Sequence, residues 1–198
     1  MIKETKNSIL VEFDELINHI YGLYLDATIG FSENKNYITN IQNATIKREK
    51  VTKEYLDNLV FSFGDEKFIQ HRCTQKEFIE RNTEGGFNFV ALGNLCIVLI
   101  YQYWEDHYRQ EIAKCLSFEK NELTSELFGE LRIIRHSIIH NNAIALKEVN
   151  NCKIITWLYE GNPIWFTPED MKFIINKIKE FLDLLNRSII LKINKNEA

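Results

Sequence analysis

Four side chains able to do acid–base and phosphate chemistry lie close together in this sequence: Arg132, Arg135, His136 and His140. Wound on a helix at about 100° per residue, Arg132 and Arg135 fall within about 60° of each other, and His136 and His140 stack one turn apart. Arg135 and His140, at i and i+5, are about 140° apart and so flank a groove instead of touching. Asn141 and Asn142 follow directly and can donate or accept hydrogen bonds at the same end. Imidazole titrates near neutral pH, so His140 can take a proton from a hydroxyl or return one to a leaving oxygen. Arginine stays cationic and presents a planar fork matched to phosphate oxygens. Together they meet the needs of RNA cleavage without a metal: the ribose 2′-OH attacks its own phosphate, and a guanidinium stabilises the charge-rich transition state. DNA lacks that hydroxyl. On residue types alone, an ordinary solvated helix face or a hydrogen-bonded pair accounts for the same residues more simply.

The elements that must hold these groups can be read from periodicity. A helix is expected from about Glu122, with an apolar stripe of Leu127, Leu131, Ile134 and Ile138 behind the polar face, ending at the poor helix formers Asn141-Asn142. A long helix is expected before it, from near Phe87 to about Leu116, carrying Leu92, Leu95, Leu99, Tyr103 and Trp104 inward. After it, β-branched and aromatic Lys153–Tyr159, the turn Glu160-Gly161-Asn162-Pro163 and Ile164-Trp165-Phe166 read as a small β-hairpin. Trp157 and Trp165 within it offer rings for base stacking, although such rings in a hairpin against helices are ordinarily core. Thr167 as N-cap, Pro168 as first helical residue and Glu169-Asp170 in the first turn open a final helix to about Ile190, burying Met171, Ile174, Ile178, Leu182 and Leu185. Upstream, Thr5 to about Ala27 reads as a helix, broken by Gly30 and Ser32 to Asn36. Residues 37–86 are poorly patterned: short helices are expected at Lys53–Leu59 and Gln75–Arg81, Leu59–Phe63 suits helix or strand, and Glu84-Gly85-Gly86 closes the stretch.

Composition narrows the classes. With 198 residues, 45% hydrophobic and 26% charged, the chain can enclose one core without staples. Only 8 Gly and 2 Pro disfavour a turn-dense β fold or a disordered tract, so a mostly α class is expected. The net charge of -4 gives no global sign of a nucleic-acid or anionic-membrane binder, though a local basic site survives any sum. Cys73, Cys96, Cys115 and Cys152 form no CxxC pair; Cys96 and Cys115 fall among apolar residues and read as buried free thiols, as in a reducing cytosol. Met1 to Asn7 is polar and lacks the apolar run of a secretory signal. Phe87–Trp104 barely reaches bilayer length and is interrupted by Asn88, Asn94 and Gln102, so it reads as a core helix and no membrane partner is expected.

Arg135-His136-Ser137-Ile138-Ile139-His140, preceded by Leu131-Arg132-Ile133-Ile134 and by a long helix bearing Trp104-Glu105 and Tyr108-Arg109, resembles the R-x4-6-H motif of the HEPN superfamily, a helical, dimer-forming ribonuclease fold. The similarity covers about Phe87 to Leu185. It implies a HEPN-like helical bundle, with 1–86 as a partly irregular N-terminal part of the same domain and 87–198 as the core with motif helix, hairpin and C-terminal helix. It further implies a metal-independent endoribonuclease with no cofactor and RNA as substrate, acting in the cytoplasm as toxin or antiviral effector beside an antitoxin or defence-system partner. Arg135 would bind the scissile phosphate, His140 would be general acid or base, and His136 would orient the pair. A homodimer would bring two motifs into one composite cleft. Arg132, Asn141 and Asn142 are the candidate substrate contacts, Arg132 being equally suited to a surface ion pair. Some members carry a Tyr two residues after the His as a modification site; here that position is Asn142, so such regulation is not expected. The competing reading is a HEPN-like module that dimerises and binds RNA or protein without turnover, which the acidic net charge favours.

Overall fold

Helix accounts for 73% of this computed structural model and strand for 6%, so the chain is mostly α. Residues 8–64 and 69–196 are described. In order, α1 spans Ser8–Glu49, α2 Lys53–Asp57, β1 Val60–Gly64, β2 Ile69–Thr74, α3 Gln75–Arg81, α4 Phe87–Tyr103, α5 Arg109–Cys115, α6 Glu126–His140 and α7 Pro168–Asn196. A π-helical segment, Trp104–Tyr108, joins α4 to α5, and single 3₁₀ turns occupy Lys120–Glu122 and Lys147–Asn151. Two compact units result: Met1–Tyr24 with Gly93–Ala198, and Leu25–Leu92. Residues 5–7 of the expected first helix, and the N-terminal stretch Met1 to Asn7, lie outside the described residues.

The first unit closes around aromatic rings drawn from four elements. Trp104 stacks on Phe128 of α6 at 4.2 Å, Phe13 of α1 stacks on Tyr108 at 4.4 Å, and Phe181 of α7 meets Trp104 edge-on at 5.6 Å. Burying side chains of this size contributes about 1.5–3 kcal/mol each, enough to fix where α6 sits. The expected capping of α7 is present: Asp170 N–H donates to Thr167 Oγ1 at 3.0 Å and Thr167 N–H to Asp170 Oδ2 at 2.9 Å. Met171, Ile174, Ile178, Leu182 and Leu185 are all buried, and the helix continues past Ile190 to Asn196.

In the second unit, α1 runs on as helix to Glu49, so the break expected between Gly30 and Asn36 does not occur. A helical Gly costs only about 1 kcal/mol, and packing such as Phe31 edge-on to Phe89, 5.5 Å away, offsets it. The short helices at Lys53–Asp57 and Gln75–Arg81 are present, the latter opened by a capping box between Thr74 and Glu77. Leu59–Phe63, open between helix and strand, resolves to strand: Val60–Gly64 pairs antiparallel with Ile69–Thr74.

Three expectations are corrected. The hairpin expected over Lys153–Phe166 is absent; that stretch is irregular, with a single bridge between Ile144 and Pro163, and the two-stranded sheet is the one at 60–74. The inward face of α4 is rotated from the expected one. Of the expected inward residues Trp104 is buried, Leu92 and Leu99 are half-buried, and Leu95 and Tyr103 are exposed; Cys96, Ile97, Ile100 and Tyr101 fill the core instead. Positions 95–101 are all apolar, so periodicity carries no phase; the buried Asn94, whose amide donates to Ile164 O at 3.0 Å, sets it. Cys115, expected buried, is exposed at the end of α5, because Leu116 takes the inward position instead. All four cysteines are free thiols. Helical run Phe87–Cys115 is long and apolar enough to cross a bilayer by length and composition, with 39% of its most apolar window buried within the protein.

Candidate functional site

Helix α6 is built to hold one face in and one face out. Ser125 caps it by accepting from Phe128 N–H at 3.4 Å. Leu127, Phe128, Leu131 and Ile134 are buried, and Ile138 is half-buried. This fixes Arg132, His136 and His140 in solvent and leaves Arg135 half-buried at the boundary. Ser137, fully buried between Arg135 and His140, donates to Ile133 O at 3.2 Å and accepts from Leu146 N–H at 3.1 Å. The motif helix is thereby stitched to the loop that follows it.

The helix ends as expected. Asn141 N–H closes on Ser137 O, and Asn142 and Ala143 then take left-handed φ values of 49° and 58°. Asn adopts that region readily; Ala does so at a cost of about 1–2 kcal/mol. The turn is held by Ala143 N–H on Ile138 O at 3.2 Å and by the Asn141 amide on Ile144 O at 2.9 Å. Asn141 is therefore committed to its own turn, while Asn142 stands exposed.

Of the predicted site residues, the structure brings Arg132 and His136 to one cavity of about 240 Å³, completed by Ile133, Leu146 and Glu148. The rings of His136 and His140 lie 4.6 Å apart, one turn from each other and tilted by 43°. Arg135 and His140 do not line that cavity. Among the described residues, Arg132, Arg135, His136 and His140 make no hydrogen bond or ion pair, and Arg135 Nε is buried without an acceptor. The surface ion pair weighed for Arg132 is thus not formed among the described residues.

Arg132 also borders a second cavity, of about 260 Å³, with Tyr101, Glu105, Arg109, Thr124 and Ser125. Here Arg109 is spoken for: its Nη1 pairs with Glu105 Oε2 at 2.9 Å and its Nε donates to Leu123 O, also at 2.9 Å. Lys120 Nζ meets Glu105 Oε1 at 2.9 Å. Burial works to raise the Glu105 pKa, but hydrogen bonds from Lys120 and Arg109 outweigh it and hold the carboxyl below its ordinary value. Burial pushes the Tyr101 hydroxyl up, helped by Glu105 and opposed by the field of Arg132, Arg109 and Arg135, so the guanidinium groups act on one phenol.

Two acids escaped the sequence reading. Glu148 lines the Arg132–His136 cavity from the 3₁₀ turn, and nothing local marks it. Glu130 is buried on α6 and accepts from three successive backbone N–H groups, Lys153 at 2.5 Å, Ile154 at 2.9 Å and Ile155 at 2.8 Å. Its signal was available: a carboxylate three residues after Leu127 and four before Ile134 sits on the apolar stripe. The chain matches no family model, no curated protein and no solved structure.

Proposed function

We propose that the protein is a metal-independent endoribonuclease of the HEPN kind, working in the cytoplasm as a homodimer. The observation that carries this reading is the unpartnered state of Arg132, Arg135, His136 and His140 at one end of α6, with Arg135 Nε buried and lacking an acceptor. A buried guanidinium nitrogen left unpaired costs about 1–3 kcal/mol, which an anionic partner such as a phosphodiester recovers through charge-assisted bonds. In the proposed reaction one His140 removes the 2′-OH proton, the 2′ oxygen bonds to phosphorus, and the P–O5′ bond breaks. A second imidazole, His136 or the His140 of another copy, returns a proton to the 5′ oxygen. The products are a 2′,3′-cyclic phosphate and a 5′-hydroxyl, and Arg135 neutralises the pentacoordinate phosphorus centre between them. The resemblance supplies the two-fold arrangement, in which each copy presents both groups to a shared groove.

Purified protein incubated with single-stranded RNA and EDTA is expected to yield cyclic-phosphate ends. His140→Ala should slow cleavage about 10²–10⁴-fold and Arg135→Ala comparably, and neither should break an internal hydrogen bond: His140 is exposed and the buried Arg135 Nε has no acceptor to lose. Cleavage that survives His140→Ala refutes the assignment. RNA bound with undiminished affinity but never cut selects the non-catalytic module.

A further inference from the structure

The irregular segment after α6 is not slack. Ala145 N–H donates to Asn162 O at 2.9 Å, Gly161 N–H to Ala145 O at 2.8 Å and Ile164 N–H to Ala143 O at 2.7 Å. Glu130 holds residues 153–155 from below, Asn150 accepts from Glu160 N–H at 3.1 Å, and Tyr24 donates to Phe166 O at 3.2 Å. These bonds fix an open cavity of about 380 Å³ walled by Trp157, Tyr159 and Trp165, with Ala145, Asn162 and Asp170 supplying the rest. Trp157 is braced edge-on by Phe173 at 5.4 Å, while Tyr159 and Trp165 are 60% and 38% exposed. Three aromatic side chains in a hydrogen-bonded frame, two of them exposed, are not what the core would use; they form a surface for a flat or cationic ligand.

We infer that this cavity binds one unstacked base of single-stranded RNA, and that the base it takes is guanine. The inference rests on the ribonuclease reading for its ligand class. Its position supports that class: Ala145 lines the aromatic cavity and Leu146 lines the Arg132–His136 cavity, and consecutive Cα atoms are 3.8 Å apart. A strand with a phosphate beside Arg132 therefore has a neighbouring base within reach of the rings. Single-stranded RNA is read in this way, by stacking on aromatic side chains and by hydrogen bonds to the base edge. Asp170 chooses the edge. Its Oδ2 accepts from Thr167 N–H, and a carboxylate has acceptor sites to spare. Guanine alone among the four bases offers two adjacent donors, N1–H and the 2-amino group, to such an acceptor pair, and the Asn162 amide is available to O6.

The test uses tryptophan emission of the full chain. Trp104 lies in the aromatic core, so quenching by an added mononucleotide reports on Trp157 and Trp165. GMP is expected to quench saturably and more tightly than AMP, CMP or UMP. Trp165→Leu should weaken GMP about 5- to 150-fold, the range for loss of one stacking ring. Asp170→Asn keeps the cap on α7 but presents the wrong edge, so it should abolish the preference for GMP while leaving the fold intact. No saturable quenching by any nucleotide overturns the inference, as does quenching by choline in preference to nucleotides, which would make the cavity a cage for an organic cation. Cleavage that persists without GMP quenching removes the subsite and spares the ribonuclease reading. GMP quenching with uncut RNA upholds the subsite and removes the ribonuclease reading.

Discussion

Replacing Glu130 tests the physical account of the site most directly. Its carboxylate collects the amides of Lys153, Ile154 and Ile155, the last of these bonds wholly buried. Hydrogen bonds to a charged group contribute about 1.5–3 kcal/mol each, and a buried donor left unpaired costs about 1–3 kcal/mol. Lys153 is exposed and Ile154 half-buried, so their amides can turn to water in whole or in part; that of the buried Ile155 has no such recourse. Glu130→Ala should therefore destabilise by about 3–5 kcal/mol, whereas Glu130→Gln, which keeps one carbonyl oxygen, should lose about 2 kcal/mol. At about 2–4 °C per kcal/mol for a chain of this size, the Ala variant should melt about 6–20 °C below the parent. Thermal and urea unfolding give the energy, and amide hydrogen exchange at Ile154 and Ile155 localises it. An Ala variant within about 1 kcal/mol of the parent, with exchange unchanged at those two amides, refutes the claim that this side chain holds residues 153–155 in place.

Two other predictions follow from ionisation and exposure. Burial pushes the thiols of Cys96 and Cys152 up to about 11, and Cys73 is buried too, so at pH 8 the native protein should expose one fast-reacting thiol, Cys115; a second fast thiol, counted by an aromatic disulfide reagent, contradicts the burial of the other three. The Glu105 carboxyl is held below its ordinary 4.5, so its pairing with Arg109 and Lys120 adds stability that is present above about that pH and is lost as pH falls through the lower folded value. Glu105→Gln should accordingly cost up to about 1 kcal/mol at pH 7 and nothing at pH 2, as measured by paired urea titrations; an equal cost at both values refutes the electrostatic origin.

What the sequence disclosed was what is local. The stripe Leu127–Leu131–Ile134 and the Thr167-Pro168-Glu169-Asp170 opening are encoded within a few residues of where they act, and α6 and α7 appear where expected, with His136 and His140 one turn apart on the solvent face. The misreadings share a cause. Residues 153–159 have strand-like composition, but the amides of 153–155 go to a carboxylate 23–25 positions upstream instead of to a neighbouring strand. Gly30 and the polar residues after it look like punctuation, yet tertiary packing carries the helix through them. On α4, where nearly every position is apolar, the face turned inward is chosen by one polar residue, Asn94, whose partner lies 70 residues away. Arg132 gave no local hint that it would border two cavities, because Leu146 and Glu148 reach one of them only after the chain has turned back at Asn142-Ala143.

Residues 25–92 leave the first unit at Tyr24 and return to it at Gly93. A methyl group added to Gly93 would stand 3.7 Å from the Tyr24 ring, so the exit and re-entry points are neighbours. The intervening stretch thus has the geometry of a module spliced into a host: the host's core residues are spatially complete on either side of the junction, and an excursion of different length could be grafted there at an entropic cost that rises only slowly with its size. A short bridge from Tyr24 to Gly93 is accordingly the natural route to a minimal version of the unit that carries α6.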